Sequence, residues 1–356
     1  MKKFGFGCMR LPKVGEEIDI PQFCQMVDKF LEAGFTYFDT AHGYHGGKSE
    51  TSIKAALTSR HPRDSYLLTN KLTATFFNSE EEIRPYFQNQ LDWCGVEYFD
   101  NYLMHALNAK NYEKFKACNA FNIAAQLKAE GKIRRVGMSF HDTAEVLDKI
   151  LSEQPVVEIV QIQFNYADYE DAKNQSRACL EVCRKHGKPV IVMEPVRGGA
   201  LANLPADAAA ILAELKGGSQ ASYAIRFAAS FEGVEMVLSG MSNLEQLEEN
   251  VSFMADFKPL DDTEMAAVWK VCELFNAQGL IPCTNCRYCT EVCPQEIAIP
   301  DLFARLNAKR QEQDANLLNI GGNLPSDCIK CGKCEDICPQ HLNIRQLLTV
   351  VAEEFR

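Results

Sequence analysis

Phe38-Asp39-Thr40-Ala41-His42-Gly43-Tyr44 decides how this chain folds. It closes a short apolar strand over 35–39 and sets Asp39 and Tyr44 five residues apart where that strand runs out. The next apolar run, Tyr66-Leu67-Leu68-Thr69-Asn70-Lys71, ends on a lysine, and the run after it ends on His105. Four side chains able to carry or steer a proton therefore stand at three successive strand ends. One such residue alone is usually a satisfied structural group. Four together point to chemistry.

Outward from this stretch, short apolar strands alternate with amphipathic helices. The strands read over 4–9, 35–39, 66–71, 99–105, 135–139, 157–163, 190–194 and 236–239. Val190-Ile191-Val192-Met193 is the continuous apolar run of a buried parallel strand. Among the intervening helices, one over 21–33 carries proline in its first turn, where its missing N–H costs nothing. One over 79–93 opens on Ser79-Glu80-Glu81-Glu82, a capping box, and a long one over 112–130 stops at Gly131. Eight strand–helix units in about 250 residues predict a (β/α)8 TIM barrel rather than an open doubly wound sheet. In such a barrel catalytic groups sit at the C-terminal strand ends, where Asp39, Lys71, His105, Ser139, Gln161 and Glu194 fall. A further helix, 261–278, precedes a different kind of sequence. The expected domains are a barrel over 1–278 and a mostly helical domain over 279–356.

The net charge of −11 argues against a nucleic-acid partner. The chain has no apolar run long enough to span a membrane, and its start, Met1-Lys2-Lys3, lacks the apolar core of a signal peptide. Fifteen cysteines in a chain without an export signal predict reduced thiols or metal ligation in the cytoplasm. Gly5-Phe6-Gly7 is too short to read as a dinucleotide fingerprint.

Eight of the cysteines form a duplication. Cys283-x2-Cys286-x2-Cys289-x3-Cys293-Pro294 recurs 45 residues later as Cys328-x2-Cys331-x2-Cys334-x3-Cys338-Pro339. This is the bacterial iron–sulfur run in which the fourth cysteine ligates the other cluster. One [4Fe–4S] cluster is expected on Cys283, Cys286, Cys289 and Cys338, and a second on Cys328, Cys331, Cys334 and Cys293. Zinc is the weaker reading, because structural zinc sites usually pair two separated knuckles. Helix-like stretches over 300–318 and 344–354 suggest a helical dicluster, ferredoxin-like module. Of the remaining cysteines, Cys8 borders the catalytic strand ends, and so do His42, His45 and His141.

Asp39-Thr40-Ala41-His42-Gly43-Tyr44, Lys71 after its strand and Leu103-Met104-His105 together resemble the aldo-keto reductase superfamily, here as an iron–sulfur subgroup. The resemblance runs to about residue 255. It implies a catalytic tetrad of Asp39, Tyr44, Lys71 and His105. It also implies nicotinamide-site roles for Cys8, Met9, Ser139, Gln161 and Met193, and a pyrophosphate stretch Glu194-Pro195-Val196-Arg197-Gly198. Ser242, Gln246, Glu249 and Asn250 resemble the adenosine-side pattern. Phe140 and Met193 depart from the Asn and the aromatic ring that many relatives carry. Gly240 and Gln246 replace the Lys and Arg of NADPH-preferring relatives, which leaves NADH, NADPH or another cofactor open.

The chemistry these residues suit is carbonyl reduction, or alcohol oxidation in reverse. Tyrosine is a poor acid at its ordinary pKa of about 10, and a nearby ammonium improves it. Lys71 supplies that ammonium, Asp39 holds Lys71, and His105 orients the carbonyl. The clusters complicate this. A hydride carries two electrons and a [4Fe–4S] cluster passes one. Either the clusters are structural, or a flavin or a one-electron substrate step in the barrel couples them to an external ferredoxin or flavodoxin. A redox-sensing protein on a reductase-like barrel is the remaining alternative.

Overall fold

The computed structural model describes residues 2–215, 217–311 and 323–355. Strands β1 (Phe4–Gly7), β4 (Tyr37–Asp39), β5 (Leu67–Leu72), β6 (Phe99–Leu107), β7 (Ile133–Phe140), β8 (Ile159–Gln163), β9 (Val190–Met193) and β10 (Val234–Ser239) pair in parallel and close a barrel in the order β1-β10-β9-β8-β7-β6-β5-β4. The short strands β2 (Lys13–Val14) and β3 (Glu17–Ile18) form a separate hairpin. The chain divides into two compact units: Met1–Pro195 with Ala221–Asp261, which holds the barrel, and Val196–Gln220 with Asp262–Arg356, which holds the paired cysteine runs. No described helix is long and apolar enough to cross a membrane.

Alternation along the strands builds the barrel interior in layers. Tyr37, Leu103, Ile159, Ile191, Met236 and Leu238 form one packed apolar cluster. Side chains repeat on one face every second residue. One step of two from this cluster therefore brings Asp39, His105, Gln161 and Met193 onto the inner face, and the pairing of Lys71 with Leu103 and of Ser139 with Gln161 adds two more. Gly137 completes the floor as a bare backbone. A Cβ there would stand 2.5 Å from Leu103 Cδ2 and 2.7 Å from the Ile159 carbonyl oxygen.

Helix α1 (Ile20–Glu32) has the expected proline in its first turn, and the Asp19 carboxylate accepts from the Gln22 amide at 3.0 Å. Three expectations are corrected. Ser79 is the N-cap residue of helix α3 (Glu80–Cys94) but its side chain makes no capping bond, and Glu82 accepts from the Asn78 amide one residue earlier, so no reciprocal box closes. The helix read over 112–130 is two, α4 (Ala109–Ala117) and α5 (Ala120–Ala129), because Asn119 between them is left-handed at φ 55°, a conformation asparagine tolerates. The segment after β9 contains a helix the periodicity did not signal, Ala206–Ala213, whose sequence is mostly alanine. Of the helix read over 300–318, Ile299–Arg310 is helical and 312–318 lies outside the described residues.

Candidate active site

The loop after β4 returns Tyr44 to the strand-end layer, and a short helix, α2 (Lys48–Ile53), follows it. Lys71, wholly buried, donates from Nζ to Asp39 Oδ1 at 2.6 Å, to the Thr40 carbonyl at 2.8 Å and to the Tyr44 hydroxyl at 3.2 Å. Three of the four expected catalytic groups thus share one ammonium. The Tyr44 and His105 rings face edge-on with centroids 6.1 Å apart, which brings the fourth beside them.

Burial presses against both charges of the inner pair. It raises the Asp39 carboxyl and lowers the Lys71 ammonium, while each partner opposes the other's shift. We assign the pair as ionised, because the 2.6 Å contact supplies the charge partner that burial demands. His105 is held well below the ordinary histidine range by burial first, and then by the Lys71 and His141 charges. It is neutral at physiological pH. Thr73 Oγ1 lies 2.6 Å from its Nδ1, so with the hydroxyl donating, the ring proton sits on Nε2.

Gln161 reaches the same centre, its amide donating to Asp39 Oδ2 at 3.2 Å. Ser139 is buried, and its Oγ accepts from the Ala106 amide at 2.7 Å. Ala106 is left-handed at φ 53° beside a register shift between Met104 and Leu107, a bulge that ends the His105 strand face. Cys8 is buried close to Asp39, and burial, with the Asp39 charge, pushes its thiol far up, so it is an inert neutral group. Met9 and Met193 are partly exposed at the ends of β1 and β9. Glu194 is left-handed at φ 56° and stands 3.9 Å from Arg10, and the Asn165 amide donates to its carbonyl at 3.0 Å. Pro195 ends the first of this unit's two chain segments.

Beyond β10, the Ser242 amide donates to Gln246 Oε1 at 2.8 Å, and the Ser242 hydroxyl donates to the Arg10 carbonyl at 3.0 Å. Asn250 donates to Ser239 Oγ at 3.1 Å. Glu249 is exposed on its helix. Sequence reading missed Arg10. Its side chain lies across Gly240, with Cδ 3.0 Å from where a Cβ would be. A lysine at 240 would fill that space, so the cation near this loop comes from the β1 end instead.

Of the flanking histidines, His45 accepts the Leu11 amide at Nε2 and is lowered to about 4 by burial, with the Lys13 charge adding to the shift. His42 stacks on Trp93 with ring centroids 4.4 Å apart and pairs with Glu50. Sequence reading also missed Glu50. Its signal was an acid on the apolar stripe it shares with Ile53 and Leu57.

In the second unit, two pockets are ringed by cysteines. Cys283, Cys286, Cys289 and Cys338 line one, with Ile299, Phe303 and Leu342 among its apolar walls. Cys328, Cys331, Cys334 and Cys293 line the other. The fourth cysteine of each run thus faces the other run's cavity. The duplication is visible in the backbone as well: residues 45 apart share left-handed φ, Asn285 (54°) with Lys330 (58°) and Arg287 (66°) with Gly332 (82°), which curls each run around its cavity. Among the described residues no group of three such ligands is placed to hold a single ion. Four cysteines converging on one largely apolar pocket fit the ligand set of an iron–sulfur cluster.

Val196, Arg197 and Gly198 belong to this second unit. Gly198 is left-handed at φ 66°, and a Cβ on it would stand 2.4 Å from the carbonyl oxygen of Thr284, next to Cys283. The Arg197 guanidinium lies 5.4 Å from the Phe275 ring centroid.

Residues 3–273 match the aldo/keto reductase family and residues 282–342 match the 4Fe-4S dicluster domain. The chain is similar to the NADH-specific methylglyoxal reductase of Escherichia coli, 26% identical over 200 residues that cover 51% of this chain and 58% of that protein. It is also similar to the L-galactose dehydrogenase of Arabidopsis thaliana, 23% identical over 274 residues covering 72% and 85%. Among solved structures it resembles an aldo-keto reductase from Klebsiella pneumoniae in complex with NADPH, with a TM-score of 0.62 at 21% identity, covering 77% of this chain and 90% of the other.

Proposed function

The chain belongs to the aldo/keto reductase family, and from that premise we propose that it reduces the carbonyl of an aldehyde or ketone, or oxidises the corresponding alcohol, with Tyr44 as proton donor. The observation that carries this reading is the position of Lys71 Nζ, 2.6 Å from Asp39 and 3.2 Å from the Tyr44 hydroxyl. An ammonium there stabilises the phenolate left when Tyr44 gives up its proton. Asp39 keeps the ammonium in place, and neutral His105 offers Nε2–H to the substrate carbonyl.

A bound nicotinamide supplies the hydride. Ser139, Gln161 and Met193 stand on the inner layer where they can hold its ring, and Ser242, Gln246 and Asn250 where they can hold its adenosine end. Arg10 across Gly240 offers a cation to a 2′-phosphate, which favours NADPH over NADH. Kinetics with both cofactors on an aldehyde and ketone panel test this. A preference for NADPH that Arg10→Ala abolishes supports the reading, and an unchanged preference removes Arg10 from it.

The eight cysteines would hold two [4Fe–4S] clusters, whose chemistry is reversible one-electron exchange with a carrier such as a ferredoxin, separate from the hydride step. Paramagnetic resonance of the anaerobic protein after addition of reduced ferredoxin tests that partner. Carbonyl reduction at full rate by cluster-free protein would make the clusters structural.

A further inference from the structure

Glu50 is a carboxylate with no exposed side-chain surface, and the catalytic scheme above makes no use of it. It lies behind the barrel wall, opposite the lysine. Successive strand residues face opposite ways, so with Lys71 turned inward, Asn70 turns outward toward α2 and α3. Glu50 Oε1 accepts from Asn70 Nδ2 at 2.8 Å and from Gln90 Nε2 at 3.0 Å. Its Oε2 lies 2.6 Å from His42 Nδ1, and since a carboxylate only accepts, that nitrogen carries the proton.

Both amides that Glu50 holds also hold the main chain of Lys71. Asn70 Oδ1 accepts from the Lys71 amide at 2.8 Å, and Gln90 Nε2 donates to the Lys71 carbonyl at 3.1 Å. Gln90 is itself fixed by Tyr102, whose hydroxyl donates to its Oε1 at 2.5 Å. The root of the lysine is thus gripped on both sides by groups that share one carboxylate, while its tip is gripped by Asp39 and Thr40. Tyr86, Tyr102 and Cys94, the other titratable groups around Glu50, are pushed up by burial and by the Glu50 charge, so they stay neutral. A buried charge is costly, and apolar side chains would fill this space more cheaply if packing were its purpose.

We propose that Glu50 is a positioning residue for the catalytic lysine: through Asn70 and Gln90 it fixes the main chain on both sides of Lys71, and with it the distance from the ammonium to the Tyr44 hydroxyl. This rests on the reading of Tyr44 and Lys71 given above. An error of about 1 Å in such a placement costs about 10²-fold in rate. The direct readout is the ionisation of the Tyr44 phenol, which faces Lys71, with Asp39 beyond the ammonium and His105 beside the ring.

The test is an anaerobic ultraviolet difference titration of the full-length, cluster-loaded protein against its Tyr44→Phe variant, which isolates that phenol without a substrate. Glu50→Leu is expected to raise the Tyr44 pKa by about one unit or more, because the ammonium that favours the phenolate moves away. Glu50→Gln keeps the acceptor for both amides and is expected to recover most of that shift. In a Lys71→Met background Glu50→Leu is expected to move Tyr44 no further, because the lysine it places is gone. Gln90→Met, which removes the grip on the Lys71 carbonyl, gives the same test if Glu50→Leu does not fold. If Lys71→Met moves the phenol and neither Glu50→Leu nor Gln90→Met does, the positioning role is wrong and the tetrad stands. Equal shifts with and without Lys71 would also overturn it, as general loosening. A phenol that Lys71→Met leaves unmoved overturns the tetrad reading itself.

Discussion

Lys71 Nζ and Asp39 Oδ1 stand 2.6 Å apart inside the barrel, with Lys71 wholly buried. Removing one member of such a pair leaves the other charge unpaired. Lys71→Met is expected to destabilise the protein by about 3–5 kcal/mol in denaturant unfolding. The double variant Lys71→Met, Asp39→Asn is expected to recover most of that loss. If the two changes add, the pair is not coupled as described.

Acid stability follows from the histidines. His105 is depressed by burial and His45 is lowered to about 4. In the unfolded chain both take up a proton near pH 6.5. The unfolded state therefore binds more protons below that pH, and stability is full above it and falls as pH drops toward about 4. Unfolding midpoints measured from pH 7.5 to pH 4.5, about three units of the histidine range, are expected to fall, and His105→Gln to flatten the slope. A slope that His105→Gln leaves unchanged would remove His105 from this account.

Each cysteine cavity draws its fourth ligand from the other run, and cysteine pairs can test that crossing. Cys338→Ser with Cys283→Ser strikes one cavity twice and is expected to leave about half the iron. Cys338→Ser with Cys328→Ser strikes both and is expected to leave little. Iron and sulfide analysis after anaerobic reconstitution decides. The reverse ranking would mean that each run binds its own cluster.

Gly198 tests the second unit's packing. An alanine there meets both a left-handed φ of 66° and the Thr284 carbonyl oxygen at 2.4 Å. Gly198→Ala is expected to displace the ligand loop that carries Cys283 and to lower iron content, by selective loss of the first cluster in paramagnetic resonance. Full cluster occupancy would show that the loop yields at little cost.

Period and spacing carried most of this in the sequence. The alternation of strand and helix announced the barrel, and each proposed catalytic group stood at, or in Tyr44's case just past, the end of an apolar run. The paired cysteine spacing announced two cavities with crossed ligands. What stayed hidden depends on contacts between distant segments. Arg10 lies 230 residues from Gly240 and meets it only because β1 and β10 are barrel neighbours. Glu50 sits on the apolar stripe of its helix, but the partners that give it a role, Asn70, Gln90 and His42, come from other segments of the chain. The break at Asn119 was equally silent, because the apolar spacing runs straight across it, with Phe115 and Cys118 before it and Phe121, Ala124 and Leu127 after it at intervals of three.

The central claim is that Tyr44 gives the proton in carbonyl reduction. Tyr44→Phe keeps the ring and removes only the hydroxyl that Lys71 contacts. Its NAD(P)H-dependent reduction of the best aldehyde or ketone in the panel, measured on cluster-loaded protein, is expected to fall by about 10²–10⁴-fold with cofactor binding and iron content unchanged. Reduction at the wild-type rate would contradict the account.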